Sequence, residues 1–404
     1  MIKPIDMSDN KKQKLAIITN TLYSFGGGER WALEVATTIK NKFHASIINP
    51  TSKADAHKIS LDQIRKLYNL NRINIIDINC IGPKFKEFNS DEYILRIPTI
   101  AGLKSLFSAI KSADVIYLLS FNPIIFSSSI LLSKLLRKRL ILGIHNPTFF
   151  KLFEESKSKT ETLRKGIFIQ ILKLVNNFHV LNNRDDLLVK RHLPNAKTYL
   201  IPNFISKSYA RKIKVNKKDF ITLFVGRLET SQKGIDLLES IIKQVAENNK
   251  NIKFHIIGKG GNGEMIITRL SKKYPKNVKW FGFVSDKILQ KEYANASMLA
   301  FPSRYEAFGI VLLEAQNHGL PVVAFNIPGP QNIIEPNKTG VLIKNFNTEK
   351  FTDAIIDYYN LWSKDKGAYI QLKRNISKEI GKKYSKKTII PKIEEVLIRV
   401  QKGV

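Results

Sequence analysis

The feature that most constrains the fold is an alternation of short apolar runs with helical patterns, which occurs twice along the chain. In the first half, strands are predicted at residues 15–19, 45–49, 73–78, 115–119, 140–144, 178–181 and 198–201. Helices are predicted between them, at residues 29–40, 61–70, 103–112, 124–137, 160–175 and 185–192. Apolar strands that alternate with helices are typical of a parallel sheet covered by helices on both faces.

The alternation is interrupted once and then restarts. Residues 206–219 are rich in Lys and Arg and show no clear apolar period. Beyond them, strands are predicted at residues 220–225, 254–257, 278–281, 298–301, 322–325 and 341–343. Helices are predicted at residues 235–248, 264–273, 288–295, 308–318 and 348–361, with a last amphipathic helix at 387–401.

This pattern predicts an α/β chain with two Rossmann-like domains whose parallel sheets face a central cleft. The expected boundaries are an N-terminal domain at 1–205, a linker at 206–219, a C-terminal domain at 220–384 and a C-terminal helix at 385–404. Open α/β sheets bind ligands beyond the carboxyl ends of their strands. Residues at strand ends are therefore the candidates for chemistry.

The charge balance restricts the partners of the chain. Its 66 Lys and Arg against 34 Asp and Glu give a formal net charge of +32. Such a field attracts nucleic acid, anionic lipid or phosphorylated substrates, and a merely solvated, Lys-rich surface is the alternative. The single cysteine, Cys80, excludes a disulfide within one chain and a cysteine zinc cluster, and it indicates a reducing, cytoplasmic compartment.

Membrane insertion is not expected from the sequence. Residues 1–14 are polar and lack the apolar core of a signal peptide. The best candidate for a membrane span, residues 123–136, is short and contains four serines and a lysine. The sequence predicts a soluble or peripheral protein.

Two motifs follow strands of the first half. Gly26, Gly27 and Gly28 lie between the first strand and the first helix, where glycines let the backbone approach a ligand and direct amides at a phosphate. The spacing is not Gly-x-Gly-x-x-Gly, so a dinucleotide site is disfavoured, and a flexible turn is the alternative. His145 follows a strand and is a candidate for positioning a sugar, or else a structural histidine at a turn.

Two more motifs follow strands of the second half. Arg227 and Lys233 lie six residues apart on one loop, where two cations can clamp a diphosphate and neutralise a departing nucleotide. Two solvated surface cations are the alternative. Gly258 begins a Gly-rich turn that either admits a base or ribose closely or is an ordinary connection between strand and helix.

The most specific run contains two carboxylates around a predicted helix start. Glu306 precedes the helix and Glu314 lies about two turns inside it, so both can accept hydrogen bonds from sugar hydroxyls. A charge at a helix N-terminus and a solvated carboxylate are the alternatives. Free amides and positive potential at the helix start favour a phosphate there. The residues at this start are Phe308, Gly309 and Ile310.

Metal-binding motifs are absent from the sequence. It contains no Asp-x-Asp pair, no His-Glu-x-x-His, no Cys-x-x-Cys and no Walker A motif. We therefore expect no metal and no other cofactor, with Arg227, Lys233 and backbone amides handling phosphate charge.

Taken in order, these motifs resemble the retaining GT-B glycosyltransferases of family GT4. The resemblance covers nearly the whole chain and is strongest at residues 220–340. The characteristic Glu-x7-Glu run is Glu306 to Glu314, preceded by Pro-Ser, and the Gly-Arg-Leu and Lys-Gly pair lies at 226–228 and 233–234. Each motif alone is weak, whereas the ordered set is specific.

The resemblance implies a role for each candidate residue. Arg227 and Lys233 would bind the donor diphosphate, Glu306 the transferred sugar and Glu314 the ribose hydroxyls. His145 would lie beside the reacting sugar, and the last helix would cross back to the N-terminal domain. The implied catalytic set is His145, Arg227, Lys233 and Glu306. The implied donor-binding set is Gly27, Gly28, Arg227, Lys233, Gly258, Glu306, Phe308, Gly309, Ile310 and Glu314.

Two positions depart from the family pattern. Asn332 stands where a Glu is common, and Ala307 precedes Phe308 where a Gly is usual. The first change is expected to alter sugar contacts or donor choice. Activity is expected to survive, because Arg227, Lys233, Glu306 and Glu314 all remain.

The resemblance also implies the reaction. A hexose or N-acetylhexosamine would pass from a nucleotide-diphosphate sugar, with UDP expected from family frequency, to a saccharide with retention at the anomeric carbon. The acceptor hydroxyl would enter on the face from which the nucleotide leaves. Glu306 is not assigned as a nucleophile, because this route differs from that of retaining hydrolases, which use two carboxylates about 5 Å apart.

The acceptor is suggested by basic clusters in the half that the family uses for acceptor binding. They lie at residues 134–139 and 157–173, the second around a partly apolar helix at 163–175. A basic, amphipathic patch can dock on anionic lipid, and a solvated basic face is the alternative. We expect a lipid-linked saccharide acceptor at the cytoplasmic face of the cell membrane, in bacterial surface-polysaccharide or glycolipid synthesis.

Two other function classes are compatible with parts of the sequence. One is a catalytically inactive, GT-B-like saccharide-binding protein, against which the full set of charged motif residues argues. The other is a nucleic-acid-binding protein, suggested by charge alone. Because no RNP, zinc-finger or KH signature is present, no nucleic-acid partner is expected.

Overall fold

The computed structural model describes residues 12–22, 26–53, 60–68, 70, 73–82, 84–86, 92–154, 158–206, 213 and 218–404. They form two α/β domains, each with its own largely parallel sheet between layers of helices. This architecture confirms the predicted fold class. Most of the predicted linker, residues 207–212 and 214–217, lies outside the described residues.

The described residues of the N-terminal domain form ten strands. They are β1 (Gln13–Ile18), β2 (Phe43–Ser52), β3 (Asn74–Ile81), β4 (Lys84–Lys86), β5 (Glu92–Ile94), β6 (Ile97–Pro98), β7 (Val115–Leu118), β8 (Arg139–Ile144), β9 (Asn177–Val180) and β10 (Lys197–Leu200). Eight of them form one sheet in the order β10-β9-β8-β7-β1-β2-β3-β6. All pairs in it are parallel except β3 with β6, and β4 and β5 form a separate antiparallel pair.

Helices cover both faces of this sheet. They are α1 (Gly27–Thr38), α2 (Leu61–Tyr68), α3 (Ile100–Ser112), α4 (Pro123–Leu135), α5 (Lys159–Leu172) and α6 (Asn183–His192). The strand order changes direction after β6, and right-handed crossovers then place α1 and α2 on one face and α3 to α6 on the other. Two separate apolar clusters fill the two sides.

The C-terminal domain repeats this plan with six strands, all parallel. They are β11 (Phe220–Val225), β12 (Ile252–Ile257), β13 (Val278–Gly282), β14 (Met298–Phe301), β15 (Val322–Phe325) and β16 (Gly340–Ile343). Their order is β13-β12-β11-β14-β15-β16. The helices are α7 (Thr230–Lys233), α8 (Ile235–Asn248), α9 (Glu264–Lys273), α10 (Asp286–Asn295), α11 (Ile310–Asn317), α12 (Pro330–Ile333), α13 (Thr348–Lys364), α14 (Lys366–Tyr384) and α15 (Lys386–Lys402).

The chain crosses between the domains twice, at neighbouring points. Ile205 pairs with Ser385 in a parallel bridge, and the Ile205 amide donates to the Tyr384 carbonyl at 2.8 Å. Beyond this point α15 returns to the N-terminal domain. Its buried residues Ile393 and Leu397 belong to the same apolar cluster as those of β1, α1 and β2.

The structure differs from the sequence-based expectation in several elements. Helix α14 was not predicted, because two of its buried positions carry the polar residues Lys373 and Ser377 and the apolar period is weak. Helix α4 ends at Leu135 instead of residue 137, since Arg137 has a φ of 52°, outside the helical region. Strands β4 to β6 are too short for an alternation to be visible. Among the described residues, no helix has the length and apolarity needed to cross a bilayer.

Candidate functional site

The loop after β11 carries the first pair of candidate cations. The side chain of Arg227 is 46% exposed, lies 3.4 Å from the carboxylate of Glu229 and donates to Gln232 Oε1 at 3.0 Å. Lys233 ends the short helix α7, and its aliphatic stem passes Gly226, where an added Cβ would lie 3.7 Å from Lys233 Cδ. The loop therefore presents both cations at the carboxyl edge of the sheet.

Lys233 forms an ion pair with Glu306. The Nζ to Oε2 distance is 2.6 Å, and the two side chains are only 16% and 14% exposed. The two residues are 73 positions apart and come together because their loops follow the neighbouring strands β11 and β14. A partly buried, charge-assisted hydrogen bond of this kind fixes both side chains.

Two further contacts hold this loop in place, and the sequence motifs did not reveal them. Gly234 has a φ of 66°, and a Cβ there would lie 2.1 Å from the Pro302 carbonyl oxygen, so the turn after Lys233 packs directly on the end of β14. Arg304 forms a two-pronged pair with Asp236, at 2.7 and 2.6 Å. In the sequence, the only indication of this Arg–Asp pair is that an Arg lies near Glu306.

The backbone of Gly258 packs directly against the backbone of Gly226. Its φ is 142°, and an added Cβ would lie 1.7 Å from the Gly226 carbonyl oxygen. The Gly226 amide donates to the Ile257 carbonyl at 3.0 Å. The two glycine turns are therefore pressed together, which brings the loops after β11 and β12 to the same edge.

The start of α11 faces the glycine loop of the other domain. Gly309, with a φ of 96°, precedes the first helical residue, Ile310. A Cβ on Gly27 would lie 3.1 Å from Ile310 Cδ1, so the starts of α1 and α11 approach closely. Phe308 is only 2% exposed, so its side chain belongs to the core beneath the helix start.

Glu314 is bound from two sides. Its Oε1 accepts a hydrogen bond from Arg30 Nη2 at 3.1 Å, and its Oε2 accepts one from the Tyr293 hydroxyl at 3.0 Å. Burial acts to lower the pKa of Arg30, but Glu314, Tyr68 and Asp286 together outweigh it and the pKa lies above its usual value. The Glu314 carboxylate is therefore fixed by hydrogen bonds and faces the N-terminal domain, and it is not freely solvated.

His145 follows β8 beside the glycine loop of α1. Its ring packs edge-on against Trp31, with centroids 4.9 Å apart, and against His179, at 5.4 Å. Its shielded Nε2 atom has no hydrogen-bond partner among the described residues. Burial, and next the neighbouring His179, lower the pKa of His145 well below 6.5, so the ring is neutral near pH 7.

His179 and Tyr117 support this ring and were missed by the sequence motifs. His179 Nε2 lies 2.7 Å from the Ile201 carbonyl oxygen, so it must donate there. Its Nδ1 then accepts a short hydrogen bond from the Tyr117 hydroxyl. Burial lowers the pKa of His179 to about 4, which agrees with this neutral tautomer.

The candidate residues thus form two groups on opposite sides of the cleft. Lys233, Glu306 and Arg227 lie on the C-terminal domain, whereas Gly27, Gly28 and His145 lie on the N-terminal one. Several direct contacts join the two sides, namely Gly27 with Ile310, Arg30 with Glu314, Asn182 with Ala307, and Phe150 with Tyr305. The cleft is therefore already spanned by side chains from both domains.

The two unusual positions have structural partners. The carbonyl of Ala307 accepts a hydrogen bond from Asn182 Nδ2 of the other domain at 2.8 Å. The carbonyl of Asn332 accepts one from the Tyr384 hydroxyl, also at 2.8 Å. Within the described part of the chain, no three His, Cys, Asp or Glu side chains are grouped as metal ligands would be.

Comparison with known proteins finds a family match in the second half of the chain. Residues 206–378 match the family described as glycosyl transferases group 1. An uncharacterized 41.2 kDa protein in the cps region of Klebsiella pneumoniae is 28% identical over 74% of this chain and 88% of its own length. The poly(ribitol-phosphate) alpha-N-acetylglucosaminyltransferase of Staphylococcus aureus is 30% identical, over 46% of this chain and 37% of that protein.

Solved structures with the same fold cover both domains. The Anabaena protein HepE, in complex with UDP and glucose, superposes with a TM-score of 0.70 at 17% identity, over 95% of this chain and 99% of that one. The pneumococcal O-GlcNAc transferase GtfA, in complex with UDP and GlcNAc, gives 0.69 at 13% identity, over 96% and 99%. The second half of the chain thus matches glycosyl transferases group 1, both domains have the GT-B fold, and together these results support a GT4-like GT-B glycosyltransferase.

Proposed function

We propose that the chain transfers a hexose or N-acetylhexosamine from a UDP-sugar to a saccharide acceptor, with retention at the anomeric carbon and without a metal. The observation that carries this proposal is the Lys233–Glu306 ion pair at the carboxyl edge of the sheet in the C-terminal domain. Relatives support the choice of donor, since HepE and GtfA were solved with UDP and a sugar. The Staphylococcus relative is named as an alpha-N-acetylglucosaminyltransferase.

In this proposal, the diphosphate of the donor binds beside Lys233. An ammonium group has three donor protons, so one bond to Glu306 leaves two for phosphate oxygens. The exposed Arg227 and the free amides at the start of α11 add positive potential. These groups stabilise the negative charge that develops on the departing nucleotide, which is the task a metal performs in other sites.

In this proposal, the transferred sugar binds between Glu306 and His145. Glu306 accepts hydrogen bonds from its hydroxyls, and the neutral His145 ring borders the sugar on the side of the N-terminal domain. The bond from the acceptor oxygen to the anomeric carbon forms on the face where the bond to phosphate breaks. The acceptor proton passes to the departing phosphate oxygen, so Glu306 needs no nucleophilic role.

Nucleotide release tests this proposal. UDP-, GDP- and ADP-sugars are incubated with the protein, with and without membrane extract, in the presence and absence of EDTA. We expect release from a UDP-sugar that depends on extract and persists in EDTA. Lys233→Ala should lower the rate about 100-fold or more, because a charge-stabilising group is lost. Lys272→Ala, at an exposed lysine of α9, is the matched control.

The outcomes separate the proposal from its rival. Release from no donor, with or without extract, would favour a saccharide-binding protein without turnover. Loss of release in EDTA would contradict metal independence. The product stereochemistry, read from the anomeric proton coupling by NMR, tests retention.

We further propose that the acceptor is lipid-linked and that the N-terminal domain docks on the anionic inner face of the membrane. The outer sides of α3, α4 and α5 form what we call the basic apolar face. Its exposed apolar residues are Ile100, Leu103, Leu131, Leu135, Leu163 and Ile167. Its exposed cations are Lys104, Lys111, Lys134, Arg164 and Lys173.

These three helices contain one acidic residue, Glu161, so charge and apolar area both favour an anionic lipid surface. Lys157, part of the expected basic cluster, lies outside the described residues.

Vesicle flotation at low salt tests the basic apolar face. Wild type should float with vesicles that contain phosphatidylglycerol and not with neutral ones. Leu163→Gln combined with Ile167→Gln should reduce the bound fraction severalfold, since each loses buried apolar area on the membrane. Met265→Gln, at a residue 80% exposed on α9, is the control. Equal binding by all variants, or none by wild type, would refute the docking proposal.

A further inference from the structure

The ion pair between Arg30 and Glu314 joins residues that are 284 positions apart and belong to different domains. Arg30 lies in the first turn of α1, directly after the glycine loop, and Glu314 lies in the middle of α11. The Arg30 side chain is 36% exposed and that of Glu314 is 16% exposed. The contact is therefore accessible from the cleft and is not part of a dry core.

Among the described residues, two groups donate to the Glu314 carboxylate, which leaves it half occupied. An ionised carboxylate offers about four acceptor positions on two oxygens. Arg30 uses one position on Oε1, and the Tyr293 hydroxyl uses one on Oε2. One position on each oxygen remains, which is the number that a vicinal pair of ribose hydroxyls requires.

The pair also lies beside an open space. A cavity of about 320 Å³ between the domains is bordered by Arg30, Tyr68, Asp286, Gln290, Glu314 and His318. Asp286 acts on Arg30 from the C-terminal domain and further raises its pKa. Both carboxylates that attract Arg30 are thus carried by the opposite domain, so separation of the domains would remove them together.

We propose that Arg30 is a positioning residue that completes the ribose site from the opposite domain. It fixes the rotamer of Glu314 only while the two domains are in contact at this point, as they are in this structure. This inference rests on the proposed function, since it assumes that the ribose of the donor binds to Glu314. Donor affinity and domain closure are then coupled through one contact.

The coupling predicts how Arg30 contributes to the reaction. Arg30 touches neither the diphosphate groups nor the sugar groups assigned above, so its loss should weaken donor binding and spare the chemical step. A salt bridge that served stability alone would instead change the free energy of unfolding and leave the affinity of the folded protein for nucleotide unchanged.

A double-mutant cycle on UDP binding tests the proposal. Isothermal titration calorimetry of the full chain is expected to give a Kd about tenfold weaker for Arg30→Gln than for wild type. Arg30→Lys keeps the charge without the planar fork and should fall between them. In the Glu314→Gln background, Arg30→Gln should change the Kd less than about twofold, because the partner is already gone. Arg269→Gln, which removes the pair between the exposed Arg269 of α9 and Glu239 of α8, is the control.

Two other readouts complete the test. The donor KM should rise in Arg30→Gln while kcat stays within about twofold, and small-angle scattering should show a larger radius of gyration for the nucleotide-free variant than for wild type. Wild-type affinity in Arg30→Gln, with wild type itself binding UDP, would overturn this inference and leave the proposed function standing. Failure of wild type to bind UDP, GDP or ADP would overturn both.

Discussion

At the scale of single residues, the site depends on glycines that allow backbones to touch. Gly258 packs on Gly226 so closely that a Cβ would lie 1.7 Å from a carbonyl oxygen. Gly260, two residues later, also has a positive φ, of 84°, but nothing lies within 4 Å of its added Cβ. The two glycines therefore separate the effect of a steric clash from that of backbone strain.

Gly258→Ala should destabilise the chain by about 3 kcal/mol or more, because the loops after β11 and β12 must move apart. Gly260→Ala should cost only about 1 kcal/mol, the strain of a left-handed alanine. Urea unfolding of both variants measures the difference. Equal losses would show that the Gly226–Gly258 contact is not tight in solution.

At the scale of elements, α15 stabilises the domain that it does not follow in sequence. Ile393 of α15 is 2% exposed and packs in the core around β1 and β2. An ion pair of 2.8 Å between Lys42 and Glu394 fixes the same contact at the surface. The helix thereby ties the last residues of the chain to the first sheet.

Ile393→Ala is expected to lower the free energy of unfolding by about 2–5 kcal/mol, as for other large-to-small changes in a core. Ile100→Ala removes the same atoms from a residue that is 77% exposed on α3, and should cost less than about 0.5 kcal/mol. Chemical denaturation of the two variants checks this contrast. A small loss in both would mean that α15 is not part of the N-terminal core.

The predictability of elements from the sequence follows their apolar period. The parallel strands were predicted because buried runs such as Val322–Phe325 are apolar throughout. Helix α14 was missed because Lys373, which is 1% exposed and donates from Nζ to the Ala296 carbonyl, places a polar residue at a core position. A pattern of apolar residues has no signal for a lysine buried in this way.

The site was predictable to a similar degree. Strand ends located His145, Arg227, Lys233 and Glu306, since sheet topology alone places such residues at one edge. Their partners could not be predicted: Arg30 meets Glu314 across 284 residues, and no local pattern connects them. The family resemblance supplied roles, whereas the contacts between domains required the structure.

At the scale of the whole molecule, buried histidines set the dependence of stability on pH. Burial lowers the pKa of His179 and of His318 to about 4, from an ordinary value of 6.5. Between these values the unfolded chain binds protons that the native chain does not. Stability therefore falls as pH falls from 6.5 to 4, by up to about 1.4 kcal/mol per pH unit for each histidine.

Urea unfolding from pH 7 to pH 4 measures this slope. His179→Gln should reduce the slope by about the share of one histidine, whatever the carboxylates contribute, because they are common to both proteins. His44→Gln, at an exposed histidine of β2, is the control. Identical slopes for His179→Gln and the control would show that the pKa of His179 is not lowered in the native state.

The central claim is that the nucleotide-sugar site is formed by Lys233, Glu306 and Glu314 between two closed domains. A crystal structure of the chain with UDP, or with the nucleotide that the release assay identifies, tests it most directly. We expect the diphosphate within about 3 Å of Lys233 Nζ and of the first amides of α11, with the ribose hydroxyls on Glu314 and Arg30 still in contact with its Oε1. A nucleotide bound elsewhere, or bound with Glu314 turned away from the ribose, would contradict the account.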